Sequence, residues 1–529
     1  MSRRRAEILA GLPAATYDVL IVGGGITGAG VVRDAASRGL RCLLIDKGDF
    51  ASGTSSKSGK LIHGGLRYLK YRQWRLVWEA CRERWLLQTK IAPHLVRPIR
   101  FVIPCYRTSR TPRWMLSLGL LAYELLSLGR NAGHFRVLSK RKLAELEPAL
   151  ERRDCRGGVA YFDCACLDFR LVIETLKSAE EHAADLVNYV ELCAPPAADA
   201  EGIFVSPVRD VLSGVIYRVH SRSIVNAAGP WADVVQSRLG VAKTFGLKLA
   251  IGVHLVVARE RLPVQGTVTL EIPADGRMIY AVPWERRVLI GTTDTFYSGD
   301  LDSLPVGADA VEYLLAGVNP YFPDSRLTTG DILATFVGAR PLLESEDGVS
   351  EDAVSRDDRL LNPAPGIWAI TGGKLTTYRA MAKRVVDGLI RERFADHSLR
   401  PCATLEPLPG ARETLPTDAS PRLKELWGRY GSRAHSIEQR MIDSPDLAGA
   451  IDPRAPFVWA EVEHCVEHES VERLDDLLDR RLGAFLLAPD CDLGPKITSW
   501  LAAHNRAELI SHVRTDALRT TDTVKELMR

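Results

Sequence analysis

The sequence contains no run approaching the roughly 20 consecutive apolar residues that a membrane-spanning helix needs, which argues against a helical span. It carries no strong charge bias: 69 Lys and Arg stand against 66 Asp and Glu, and a net charge of +3 argues against a nucleic-acid partner, which calls for a basic excess or stripe. It has no C-x-x-C pair. Ten cysteines are scattered, and the closest two, Cys164 and Cys166, fall in a predicted strand, so reduced thiols in a cytoplasmic protein are expected. The opening MSRRRAEILAGL lacks the apolar core and small-residue cleavage site of a signal peptide. His464-x-x-Glu467-His468 matches an inverted zinc-protease pattern, but no second ligand cluster accompanies it; a solvated helix face is expected there and no metal site. At 529 residues, with 46% hydrophobic and 26% charged residues, the chain is an ordinary globular protein too long for one core, and two or three domains are expected.

What is present begins at Tyr17. The stretch Tyr17 to Asp46 reads as strand, glycine turn, helix and strand, closing on an acid. Apolar Val19 to Val22 enters Gly23-x-Gly25-x-x-Gly28, and a helical period follows from Ile26 to Ala36. In such a crossing Gly23 makes the tight turn, Gly25 admits a pyrophosphate to the backbone, and Gly28 lets helix and strand pack closely. The diphosphate then rests on the positive end of the helix. Asp46, after the strand Cys42 to Ile45, can accept from both ribose hydroxyls and would repel a 2′-phosphate, which favours FAD or NAD over NADP.

The stretch from Gly53 to Leu69 is too rich in glycine and serine for regular structure, and loops of that length usually serve a function. His63, Arg67 and Tyr68 alternate there with apolar Leu61, Ile62, Leu66 and Leu69. Trp74 to Ile91 is an amphipathic helix. Trp114 to Leu128 is apolar, interrupted by Glu124 and flanked by Arg107, Arg110, Arg113 and Arg130; it suits a helix lying on a membrane surface, and equally a buried helix of a substrate domain. Ser223 to Asn226 runs into Ala227-Ala228-Gly229-Pro230-Trp231, a second strand-to-helix crossing beside a dinucleotide. Short alternating strands between about Phe245 and Asp331 predict a mainly antiparallel sheet. Gly291-Thr292-Thr293-Asp294 is a compact polar turn, either site or scaffold. The chain returns to the first domain near Phe336. The strand Ile367 to Ile370 delivers Thr371-Gly372-Gly373-Lys374 to a helix start, where backbone N–H groups and the helix dipole favour an anionic reduced flavin. Prolines at 401, 407, 409, 416 and 421 mark a linker, and the remainder has helical composition.

In order and spacing the chain resembles the FAD-dependent glycerol-3-phosphate dehydrogenases. The likeness rests on the dinucleotide turn, TSSKSGKLIHGGLRYL, VNAAGPW, IGTTDT, GARPL, SRDDRL, ITGGKLTTYRAMA and, near the end, GRYGSRA and LDDLLDRR. It implies an α/β fold with a Rossmann-like FAD domain of the glutathione-reductase or D-amino-acid-oxidase type, an antiparallel substrate domain and a C-terminal all-α domain. The oxidoreductase region is expected over residues 1–398, with FAD-binding segments at about 15–90, 155–240 and 335–395 and substrate segments at about 91–154 and 245–334. A linker over 399–421 and a helical domain over 422–529 follow. The resemblance implies oxidation of sn-glycerol 3-phosphate to dihydroxyacetone phosphate on non-covalently held FAD, with electrons passed to a membrane quinone by an enzyme peripherally attached to the cytoplasmic membrane. A homodimer is compatible with it.

By the same resemblance Gly23, Gly25, Gly28, Asp46, Thr54, Ser55 and Ser56 hold FAD, joined by Gly229 at the second crossing, with Gly373 and Lys374 near the flavin ring. The substrate site draws on His63, Arg67, Tyr68, His254, Arg340, Arg356 and Lys374. The chain departs from the family at Ile251-Gly252-Val253-His254, where Lys-Gly-Ser-His is usual. Arginine suits the phosphate because its planar fork gives paired, charge-assisted bonds; Arg67 and Arg356, with Tyr68, are expected there. His63 is the natural base, since imidazole titrates near neutral pH, with His254 competing. Arg340 and Lys374 stabilise the developing alkoxide and the reduced flavin. An oxidase delivering electrons to O₂, an amine or amino-acid oxidase, and an inactive flavin-binding interaction module are the rival readings.

Overall fold

The computed structural model describes residues 5–241, 245–343 and 358–504, together with 506, 509, 519 and 520. Two sheets organise them. In the first, the strand Thr16–Val22 lies parallel between Cys42–Ile45 and Ile216–Asn226, with Val22 opposite both Ile45 and Asn226. Asp185–Val187 continues the sheet beyond Cys42–Ile45, and Ile367–Gly372 beyond Ile216–Asn226, before the antiparallel edge Asp358–Ala364. Side chains alternate across a strand. Val19 and Ile21 therefore face a core shared with the helices Ile26–Ser37, Asp168–Glu181 and Tyr378–Arg393, while Leu20 and Val22 face Ile8, Leu9 and the strands Val190–Leu192 and Phe204–Asp210. Burial on both faces explains why these strands read as near-continuous apolar runs.

The second sheet is antiparallel apart from one parallel pairing, Thr267–Glu271 on Arg97–Tyr106. Its order runs from Ile332–Leu343 through Leu247–Ala258, Arg287–Gly291, Met278–Trp284, Thr267–Glu271 and Arg97–Tyr106 to Cys155–Ala165 and Leu61–Ile62. Here the structure redraws the expected segments. Residues 335–343 and 155–165 belong to this sheet, and the chain re-enters the dinucleotide sheet with Asp358–Ala364. Alternation identifies a strand but not its partners, and these strands pair with residues far away in sequence.

The 399–421 segment is packed as a strap on the dinucleotide helix. Arg33 of that helix donates to the carbonyls of Thr404 and Glu406, Arg400 N–H donates to the carbonyl of Arg38, and Leu408 is fully buried. Prolines disfavour a helix here without loosening the segment. The helices that follow share one core with the first domain: Phe485 packs on Phe169, and Arg170 makes a bidentate ion pair with Glu469 at 2.6 and 2.8 Å, both side chains fully buried. Against the expectation of helix to the end, Arg519–Thr520 pairs with Ala334 and Thr335 at the edge of the second sheet. His464 lies half-buried against Tyr430 while His468 is exposed, and no group of three or more His, Cys, Asp or Glu among the described residues is arranged to hold a metal.

The helix Arg113–Ser127 is not buried. Leu120, Tyr123 and Ser127 face inward, whereas Trp114 (62% exposed), Leu118 (57%), Leu121 and Leu125 (67%) face outward beside exposed Trp74 and Trp78. Among the described residues no helix is long and apolar enough to cross a membrane.

Candidate active site

A cavity of about 1400 Å³ runs between the two sheets, from Asp46 at one end to Lys374 and the Arg113–Ser127 helix at the other. At its first end the dinucleotide turn is built as its spacing requires. Gly23 has φ +116°, and a Cβ there would lie 2.6 Å from the carbonyl oxygen of Ala227, where the ends of two parallel strands meet. A Cβ on Gly28 would lie 1.8 Å from the carbonyl oxygen of Gly23, so Gly28 serves helix-to-turn packing and not the cavity wall. Gly25 precedes the helix, and Ile26 N–H donates to Ser55 Oγ at 2.9 Å, which sets a hydroxyl at the positive helix end. Asp46 accepts from Gly24 N–H at 2.6 Å and Gly48 N–H at 2.8 Å; burial nevertheless pushes its carboxyl up to about 6.

Thr54 lines the cavity and donates to the carbonyl of Ala339 at 2.6 Å, tying the loop to the second sheet. Ser56 does not line it. Residues 54–56 form one 3₁₀ turn, in which three successive side chains point three ways, and Ser56 is buried behind the wall, its carbonyl accepting from Lys60 Nζ at 2.6 Å. Gly229 lines the wall with φ +54°, and a Cβ there would meet nothing within 4 Å.

At the other end the strand Ile367–Gly372 brings Gly373 (φ +75°) and Lys374 to the cavity. Lys374 Nζ sits 3.5 Å from the centroid of the Tyr68 ring, a cation–π contact that holds both side chains against the same wall. His63 lines the cavity with its main chain clamped: Thr376 Oγ1 accepts its N–H and donates to its carbonyl. The next residue, Gly64, donates to buried Asp163 at 3.3 Å, and Asp163 is held in turn by Arg84 and the Tyr123 hydroxyl. Arg67 is half-buried on the cavity wall.

Arg340 reaches the cavity from the second sheet. One guanidinium nitrogen donates to Asp294 Oδ1 at 2.9 Å and to the Thr293 carbonyl at 3.3 Å; the other donates to Thr292 Oγ1 at 2.9 Å. The polar turn 291–294 is thus the support of this arginine. His254, on the neighbouring strand, stacks on Phe336 at 4.7 Å, and its Nδ1 has no hydrogen-bond partner among the described residues. Burial first, then Arg340 and Lys60, hold its imidazolium well below the usual range, so the ring is neutral.

The departure at Ile251 and Val253 falls off the site. Strand periodicity turns both away from His254, Val253 lies in the apolar core of the second sheet, and neither lines the cavity. Gly252 is needed where it stands, because a Cβ would lie 2.4 Å from Arg340 Nη2. Arg356 lies outside the described residues. Sequence reasoning missed Thr376, the Asp163–Arg84–Tyr123 support, Arg277, which donates to the Asp294 carbonyl at 2.9 Å, and Arg473 and Arg480 from the C-terminal block on the cavity wall. Only the TTYR run after Lys374 carried a local signal.

The chain matches the family of FAD dependent oxidoreductases over residues 18–388, and a C-terminal domain of alpha-glycerophosphate oxidase over residues 402–504. It is 34% identical over 494 residues to the aerobic glycerol-3-phosphate dehydrogenase of Staphylococcus haemolyticus, covering 88% of this chain and 86% of that one. It is 35% identical over 508 residues to the glycerol-3-phosphate dehydrogenase of Synechocystis sp., covering 90% of each. The structure of glycerol-3-phosphate dehydrogenase from Bacillus halodurans complexed with FAD matches with a TM-score of 0.76 at 27% identity, over 99% of this chain and 96% of that one. The chain is therefore an FAD-dependent oxidoreductase, and the backbone amides, Ser55 hydroxyl and Asp46 carboxylate along the cavity fit that dinucleotide. Within that class it belongs to the aerobic glycerol-3-phosphate dehydrogenase family.

Proposed function

We propose that the enzyme oxidises sn-glycerol 3-phosphate at C2 to dihydroxyacetone phosphate and passes the electrons to a membrane quinone. The observation that carries this reading is the convergence of Arg67, Arg340 and Lys374, with Tyr68, His63 and His254, on the wall of the same cavity that begins at the dinucleotide turn. Three cationic side chains lining one cavity suit a phosphorylated polyol better than an amine, which would want an apolar pocket.

FAD, held by the dinucleotide turn, Ser55 and Asp46, would supply the acceptor for the C2 hydride and its two electrons. The chain's residues do the rest. Arg67, with Tyr68, clasps the phosphate and so orients C2, which removes part of the entropic barrier. His63 takes the hydroxyl proton as C2 is oxidised. His254, held neutral, is too weak a base for that proton by Brønsted reasoning and donates to the substrate oxygen instead. Arg340, fixed by Thr292 and Asp294, stabilises negative charge building on that oxygen, and Lys374, on the cavity wall, would offset negative charge on a flavin held there.

A lipid-soluble acceptor is supported by the Arg113–Ser127 helix. Its outward face is apolar, Arg107 and Arg110 stand at its start, and Met115, Leu118 and Gly119 of the same helix line the cavity. The test is anaerobic: sn-glycerol 3-phosphate should bleach the visible flavin band rapidly, and a quinone analogue should restore it. Bleaching only by an amino acid would overturn the substrate, and peroxide formed in air faster than quinone is reduced would overturn the acceptor.

A further inference from the structure

The Asp46 end of the cavity is walled by three stretches distant in sequence: Asp46 to Asp49, Tyr189 to Leu192, and Arg473, Asp475 and Arg480 of the C-terminal block. A carboxylate closing the second strand marks the ribose of a bound dinucleotide, so this is where the adenosine half of FAD belongs. The three stretches are locked together. Tyr189 N–H donates to the Gly48 carbonyl at 2.9 Å, and Val190 N–H to the Asp46 carbonyl at 2.7 Å. The Asp49 carboxylate accepts from Arg480 Nε at 2.5 Å, from both terminal nitrogens of Arg481 at 2.9 and 2.8 Å, and from Asn188 Nδ2 at 3.1 Å. Arg480 also donates to Asp476 at 2.8 Å, and Asp476 accepts the Tyr189 hydroxyl at 2.5 Å. Arg473 lies over the Tyr189 ring, 4.4 Å from its centroid, and its Nε is buried without a hydrogen-bond partner among the described residues.

This arrangement is expensive to leave incomplete. Asp49, Asp476, Arg480 and Arg481 are all buried, and a buried ion-pair network is destabilising when one member loses its partner. A packed apolar contact would join a helical block to a domain without such desolvation. The network is placed instead where it sets the loop that carries Asp46 and the backbone of Tyr189 and Val190, while two of the block's arginines reach the cavity itself.

We propose that the C-terminal helical block is part of the cofactor site, with Arg473 and Arg480 as the outer wall that receives the adenosine diphosphate half of FAD. Arg480, through Asp49, positions the loop bearing Asp46. Arg473, stacked on Tyr189, closes the end. Binding of FAD and docking of the block then stabilise one another, since a ligand that binds only the assembled state favours that state.

The test uses full-length apo-protein, flavin removed, in the parent and in Arg473→Ala and Arg480→Lys, each titrated with FAD and with FMN by flavin fluorescence. FMN lacks the adenosine and reports general loosening. The expected result is an FAD Kd raised tenfold or more in at least one variant, with the FMN Kd within threefold of the parent. Arg473 is half-buried and its variant should fold; circular dichroism of the apo-protein checks both. If neither variant reaches a tenfold loss for FAD, or if FMN weakens in parallel, the block is structural and the proposal is overturned. The readout involves no substrate, so it stands apart from the activity proposed above.

Discussion

Thr376 Oγ1 lies 3.1 Å from both the main-chain nitrogen and the carbonyl oxygen of His63, accepting from one and donating to the other. One hydroxyl from the turn before the Tyr378–Arg393 helix thereby fixes the backbone that carries the proposed base. Removing it should misplace the imidazole without touching the cofactor. Thr376→Val is expected to lower kcat by about 10- to 100-fold, the cost of a small misplacement, with KM nearly unchanged and the flavin spectrum intact. Steady-state kinetics alongside an absorbance spectrum checks this; a flavin-free protein would assign Thr376 to cofactor retention.

Arg67→Ala removes the charged hydrogen bond proposed to the substrate phosphate, worth on the order of 1.5–3 kcal/mol. KM should rise by roughly 10- to 100-fold while the protein stays yellow. Discrimination against plain glycerol should shrink by a similar factor, measured as the ratio of kcat/KM for the two substrates.

Gly252→Ala introduces a methyl group 2.4 Å from Arg340 Nη2 and should push the guanidinium off its Thr292 and Asp294 supports. Its activity should fall toward that of Arg340→Ala, and the double variant should be no worse than Arg340→Ala alone. Additive losses in the double-variant cycle would show that Gly252 acts by another route.

Asp46 is expected to tie FAD binding to pH. Its folded carboxyl is raised from 3.8 to about 6 by burial, against two backbone hydrogen bonds that lower it. The folded apo-protein therefore binds more protons than the unfolded chain between those values, so the group's contribution to stability falls as pH rises through that window. Ribose hydroxyls donate more strongly to the ionised form. FAD affinity should accordingly drop as pH falls through about 6, and Asp46→Asn should flatten that dependence, as read by flavin titration between pH 5 and 7.5.

Leu121→Glu and Leu125→Glu place charge on the exposed face of the Arg113–Ser127 helix, away from the cavity lining. Co-sedimentation with anionic vesicles should fall several-fold, and reduction of the flavin by substrate should be unaffected. Equal sedimentation of parent and variants would remove this helix as the membrane contact.

The dinucleotide turn was legible in the sequence because every requirement on it is local: Gly23, Gly25, Gly28 and Asp46 each answer to neighbours within one βαβ unit. Ser56 was misplaced because motif spacing does not reveal a 3₁₀ turn, which spends one side chain in three on the interior. Ile251 and Val253 raised a question about substrate that strand periodicity answers once the register opposite Ala339 and Val337 is known. The sheet membership of 335–343 was illegible for the same reason, since hydrogen-bonded partners across a sheet leave no mark on spacing. Arg480 was beyond reach altogether: its carboxylate partner, Asp49, stands 431 positions earlier.

The strap from 399 to 421 bears on how the protein can be taken apart. Arg33 grips it through two carbonyls, and its own Leu408 is fully buried. A protease that nicks an exposed bond such as that after Arg412 would leave two fragments still clasped, migrating together until denatured. Expressed alone, the trailing fragment would bare Phe485 and lose the bidentate Arg170 partner of Glu469, and would be expected to aggregate.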